Sequence, residues 1–182
     1  GGVALNVSLD DGGVWKGYHE DGSNAALNLD INDGAVWANT AGESKTTKVT
    51  SLRGTDGVVQ MSTATDSNLE IASYEGNNIF YYQHSQEKPS KILGGTVTIK
   101  NATEGSIVNV RTNSIGTSDK EEVTKVLKAL AAKMIAGDNA KNTLKGEAQI
   151  AEGIVTSASA LKVGDIDFTN GAGVLKEDTV KA

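Results

Sequence analysis

The amino-acid sequence predicts an all-β solenoid, a parallel β-helix carrying one amphipathic α-helix in its C-terminal third. Three observations lead there: an internal repeat of 22 residues, alternation of apolar and polar residues within each copy, and no stretch of helical periodicity before residue 117. The segment Leu5-Asn6-Val7-Ser8-Leu9-Asp10-Asp11-Gly12-Gly13-Val14-Trp15 returns as Leu27-Asn28-Leu29-Asp30-Ile31-Asn32-Asp33-Gly34-Ala35-Val36-Trp37, every position displaced by 22. A third copy runs from Leu52 through Asp56-Gly57-Val58-Val59, at an offset of 23 from Leu29, Asp33, Gly34 and Val36. A fourth is Glu75-Gly76-Asn77-Asn78-Ile79-Phe80-Tyr81.

Inside a copy, Leu27, Leu29 and Ile31 alternate with Asn28 and Asp30, the period of a strand with one face buried and one wet. The Asp-Gly step that follows accepts positive φ, so the chain turns before the next short strand, Val14-Trp15 or Val36-Trp37. Such a coil cannot bury its apolar face alone; stacked coils bury a continuous column. Without a crossover helix between strands, a doubly wound sheet is disfavoured. The same grammar continues through Gly94 to Asn101 and Glu104 to Arg111.

At Ser118 the pattern changes. Ser118-Asp119-Lys120-Glu121 reads as a capping box. The apolar stripe Val123, Val126, Leu127, Leu130, Ala131, Met134 predicts a helix over about 119–136, with Glu121 and Lys125 paired opposite it and Gly137 ending it. A helix laid against the β body is preferred to a partner-binding one. Gly146 to Ala151, Ile154 to Ala160 and Leu161 to Phe168 read as further strands, and Asn170 to Ala182 as a frayed end. Residues 1–117 are thus β-helix rungs, and 118–182 a helix plus strands that continue or cap them.

Across 182 residues, 17 basic and 23 acidic side chains leave a formal charge of −6, which argues against a nucleic-acid partner. The absence of cysteine excludes disulfides, thiolate metal sites and a cysteine nucleophile. No apolar run approaches the roughly 18 residues that span a bilayer, so membrane insertion by this segment is not expected. No secretory leader is visible, and the start at Gly1-Gly2 without methionine suggests a piece of a longer protein.

Catalytic chemistry finds little support. There is no Gly-x-Ser-x-Gly elbow, and His19 and His84 both lie in polar, turn-like stretches where a solvated loop residue is the preferred reading. Asp10, Asp11, Asp30 and Asp33 recur near turns, but their spacing matches no calcium loop, and turn chemistry accounts for them. No cofactor or metal is called for. Trp15 and Trp37, one repeat apart, form a stabilising aromatic ladder; the alternative is a sugar-binding platform joined by Tyr18 and by Phe80, Tyr81 and Tyr82. Alternation should turn at least one ring of that last cluster outward.

The ladder of apolar-Asx-apolar, Asp-Gly and Val-Trp at Leu5–Trp15 and Leu27–Trp37, with the copy from Leu52 to Met61 and the later Leu69 to Tyr82 and Gly94 to Arg111, resembles the pertactin-like passenger regions of bacterial autotransporters, the type V secretion proteins. The resemblance covers about residues 3–113. It implies a right-handed β-helix, carried across the outer membrane by a C-terminal barrel outside this sequence and displayed on the cell surface or secreted. The expected role is non-enzymatic adhesion, display or scaffolding, through many weak contacts to a host or bacterial surface glycan or protein, or through self-association along the column. Two alternatives stay open: a β-helical polysaccharide lyase or hydrolase, and a C-terminal segment that nucleates passenger folding. The helix departs from the usual rung pattern.

Overall fold

The computed structural model describes residues 4–18, 25–154 and 161–181, which are predominantly β-strand with one α-helix among them. The repeat is the organising element. Strands β1 (Ala4–Leu9) and β2 (Val14–Gly17) make a first rung, and β3 (Ala26–Ile31) and β4 (Val36–Asn39) a second. The long strands β5 (Thr46–Gln60) and β6 (Asn68–Tyr81) make the next two. β1 pairs in parallel with β3, and β2 with β4, at a displacement of 22, so Leu5 lies beside Leu27, Asn6 beside Asn28 and Trp15 beside Trp37.

The third copy departs from expectation in one respect. Its offset is 23 at Leu29–Leu52 but 22 at Val36–Val58, so Val59 stands beside Trp37 and not beside Val36. The cause is a tighter turn, Gly54-Thr55-Asp56-Gly57 under Ile31-Asn32-Asp33-Gly34-Ala35. Gly54 takes a φ of 136°, and Gly76, paired directly below it, one of 140°. At this corner successive backbones approach so closely that no side chain fits between them.

Further on, insertions stretch the repeat. Strands β7 (Val97–Ala102) and β8 (Ile107–Asn113) pair in parallel with the two halves of β6, at 28 for Leu69–Val97 and 30 for Asn77–Ile107. Strands β9 (Met134–Asn139) and β10 (Lys145–Ala151) follow at 37 for Val97–Met134 and 38 for Ile107–Lys145. The core is a set of columns. Trp15, Trp37, Val59, Phe80, Val110 and Ala148 succeed one another by direct pairing, and all but Trp15 are wholly buried. Each large apolar side chain so enclosed contributes on the order of 1.5–3 kcal/mol.

Helix α1 (Lys120–Ala131) fills the insertion between β8 and β9 and buries Val123, Val126, Leu127, Leu130 and Ala131, the expected stripe. Both of its ends differ from expectation. Asp119, not Ser118, is the N-cap, its carboxylate accepting from the Glu122 amide at 3.1 Å. The helix stops at Ala131 because Met134, Ile135 and Ala136 pair with Val97, Thr98 and Ile99 in β9, and ladder bonds there replace helical ones. Gly137 therefore lies within a strand and does not terminate the helix. Asp119→Ala should destabilise the protein by about 1 kcal/mol, whereas Ser118→Ala should leave the urea midpoint unchanged.

The C-terminal segment is not frayed over its described residues. Strand β11 (Lys162–Asp167) runs antiparallel on β10, and β12 (Val174–Leu175) antiparallel on β11. The Ala136 amide donates to the Gly171 carbonyl, and Gly173 to Met134, each at 2.8 Å, while Val163 and Lys181 exchange two backbone bonds of 2.9 Å. Leu175 is buried. The end of the stack is thus closed by a chain reversal. Residues 155–160, expected as part of a strand, lie outside the described residues. At the opposite edge β1 and β2 pair on one side only among the described residues, and Leu5 and Val14 are 46% and 60% exposed.

Candidate binding groove

The outward faces of β1, β3, β5 and β6 carry the polar residues of the repeat, and stacking sets them in rows. One row is Asn6, Asn28, Ser51 and Ser73, beside one another by register. Three of its members are hydrogen-bonded in series: the Ser51 hydroxyl donates to Asn28 Oδ1 at 2.7 Å, and Asn28 Nδ2 donates to Asn6 Oδ1 at 3.0 Å. The neighbouring row, two residues along each strand, is Ser8, Asp30, Arg53 and Glu75. Arg53 Nε sits 3.4 Å from Asp30 Oδ2, and Asn32 Nδ2 donates to Asp30 Oδ1 at 2.8 Å. Together the rows line an open groove of about 420 Å³ crossing all four rungs.

Beneath this groove, Leu29, Leu52 and Tyr74 turn their side chains into the core, at 2%, 1% and 1% exposure, while the half-buried Val7 and the carbon atoms of the lining side chains leave a mixed surface in which polar groups are set among apolar ones. Tyr74 holds the floor. Its hydroxyl donates to the Ile107 carbonyl and accepts from the Asn78 amide at 2.8 Å. Burial pushes the Tyr74 phenol well above its ordinary value, against a smaller opposing effect of the Asn78 bond, and burial does the same to Tyr82. A phenol whose folded pKa is raised keeps its contribution to stability below the unfolded value of 10.0 and loses it as pH rises further. Unfolding free energies from urea melts should therefore fall by roughly 1 kcal/mol for each of these phenols between about pH 10 and about pH 11, and by less in Tyr82→Phe.

The aromatic candidates are placed differently from the groove. Trp15 and Trp37 stack with ring centroids 5.7 Å apart and an interplanar angle of 19°, the ladder geometry. Trp37 is fully buried, and its Nε1 donates to the Gly17 carbonyl at 3.1 Å, so it offers no platform. Trp15 is half-buried and Tyr18 is 47% exposed. The expectation of an exposed ring among Phe80, Tyr81 and Tyr82 is corrected. Phe80 and Tyr82 point into the core, and Tyr81 faces the other way as alternation requires. There it packs with Val36, Val58 and Ile79, next to the half-buried Ile154, at 7% exposure.

His84 also departs from the solvated reading. It is buried, with Nδ1 2.8 Å from the Ser85 carbonyl and Nε2 3.0 Å from the Ser114 carbonyl, a tie between two connections. His19 lies outside the described residues. Asp11 and Asp33 sit at positive φ in turns, the role turn chemistry assigns them. Among the described residues no group of three or more His, Cys, Asp or Glu is placed to hold a metal ion.

Beside Tyr81, Arg111 is buried, its Nε donating to Gln149 Oε1 at 2.9 Å. Burial lowers its pKa, while Asp56 and Glu147 oppose the shift. Gln149 Nε2 in turn donates to Asn109 Oδ1 at 3.0 Å, and Asn109 Nδ2 to Asn77 Oδ1 at 2.6 Å. This second polar ladder ties rungs together and is closed over by the Ile154 connection. Sequence reasoning singled out Asp30 but assigned it to turn chemistry, whereas it lies within β3 and lines the groove; the other groove residues it missed, although the repeat offset that aligned the leucines aligns Asn6 with Asn28 and Ser8 with Asp30 equally well. No protein-family model, curated protein or solved structure matches the chain, so its residues and their geometry carry the functional argument.

Proposed function

We propose that the chain is a run of coils of a right-handed parallel β-helix of the autotransporter passenger type, displayed outside the cell and acting without catalysis as an adhesive or scaffolding surface. The observation that carries the reading is the like-over-like pairing at one-repeat displacement, Leu5 on Leu27 and Trp15 on Trp37. A column built this way keeps its side faces regular in backbone geometry, and such faces set polar side chains in rows at a fixed spacing. The adhesive version is favoured by the groove, which repeats hydroxyl and amide groups across four rungs on the wet side of the strands. Contacts of that kind are individually weak and gain strength by number.

The test is retention of purified, fluorescently labelled chain on host epithelial and bacterial cells, with an unrelated acidic protein of the same size as control. Saturable retention above the control is the expected result. Retention equal to the control would overturn adhesion and leave the scaffold role.

A further inference from the structure

We propose that the groove across β1, β3, β5 and β6 binds an uncharged linear oligosaccharide lying along the stack, across the strands. This inference rests on the adhesive reading and names its ligand class.

Four features select that chemistry. Along the Asn6, Asn28, Ser51 and Ser73 row an amide or a hydroxyl recurs on each rung, at the spacing of about 4.8 Å between paired strands, so a matching ligand is linear and repeats its own polar groups on that scale. An extended peptide repeats its side chains on one face at about 6.8 Å and falls out of step. The charge pattern excludes strong ionic partners: Arg53 stands between Asp30 and Glu75 by register, one guanidinium between two carboxylates. A polyanion meets two like charges there, and a polycation meets a competing Arg53, already 3.4 Å from Asp30. The side chains of Leu29, Leu52 and Tyr74 are turned away and the half-buried Val7 is the apolar side chain left at the surface, so a lipid finds no apolar pocket, while the carbon faces of sugar rings can lie on the mixed surface between the polar groups. What remains are serine hydroxyls and asparagine amides, each both donor and acceptor, which is the complement of a chain of sugar hydroxyls.

The experiment titrates the ¹⁵N-labelled full chain with cellohexaose and maltohexaose as uncharged probes and with a hexamer of galacturonic acid as the charged one. Saturable shifts at millimolar concentration are expected from at least one uncharged probe. They should be centred on Asn28, Ser51 and Ser73, change by less than about twofold as salt screens charges, and exceed those from the acidic hexamer. Ser73→Leu, which places an apolar side chain at an exposed groove position, should weaken binding at least tenfold. Arg53→Ala, which truncates an exposed side chain, should weaken it severalfold and supplies the comparison if the leucine variant fails to fold. No shift from either uncharged hexamer, shifts centred elsewhere, or tighter binding of the acidic hexamer would each overturn the proposal. If cell retention persists in any of those cases, only this inference falls; if retention is absent too, the adhesive reading falls with it.

Discussion

Gly76→Ala is expected to abolish cooperative folding of the stack, a loss of more than about 4 kcal/mol. An added Cβ at Gly76 would lie 2.0 Å from the Gly54 carbonyl oxygen, and one at Gly54 would lie 1.9 Å from that of Ile31. The atom in the way is backbone in each case, so no rotamer change relieves the contact. Relief requires moving two rungs apart, which breaks the parallel bonds that hold Arg53 to Glu75 and Thr55 to Asn77. The φ of 140° adds strain even where space is found. Two controls separate collision from conformation. Gly105→Ala has nothing within 4 Å but a φ of 82°, and should cost about 1 kcal/mol. Gly42→Ala has neither obstacle and should be neutral or slightly stabilising. Urea melts followed by circular dichroism at the strand signal rank the three variants; a Gly76→Ala protein with a midpoint near that of Gly105→Ala would show that the corner yields.

Trp37→Ala should cost about 3–5 kcal/mol, the range for emptying a large aromatic site in a core. The side chain is wholly enclosed, stacks on Trp15 and sits above Val59 in its column. Its removal also leaves the Gly17 carbonyl without the indole donor. Trp15→Ala should cost clearly less, because that ring is only half-buried and has a neighbour on one face. The double variant should fall short of the sum by about 0.5–1.5 kcal/mol, the worth of an aromatic pair beyond its buried area. Since these are the only tryptophans in the chain, fluorescence of each single variant reports the environment of the other directly. Equal costs for the two substitutions would mean that the first rung is as firmly enclosed as the second.

The repeat was legible because stacked strands that share a core face select the same residue types: Leu5 over Leu27 and Val7 over Leu29 leave a trace of similarity in the chain itself. The groove left a fainter trace. Its second row runs Ser8, Asp30, Arg53, Glu75, four different side chains whose common property is only that they face water. The helix end was illegible for a different reason: Met134 satisfies the apolar stripe of a helix and the buried face of a strand equally, and the choice was made by a partner strand 37 residues earlier. Tyr81 was misread because the turn outward was correct, but the cover, Ile154, comes from a distant connection. His84 likewise finds one of its two carbonyl partners only at Ser114.

Pairing at one fixed displacement sets how this part of the chain yields under load. A pull that detaches β1 and β2 breaks their parallel bonds to β3 and β4 together, and the rung so released frees about 22 residues, or roughly 70 Å of slack. A chain of this design lengthens in discrete steps and dissipates work at each, while the rungs still paired keep their register.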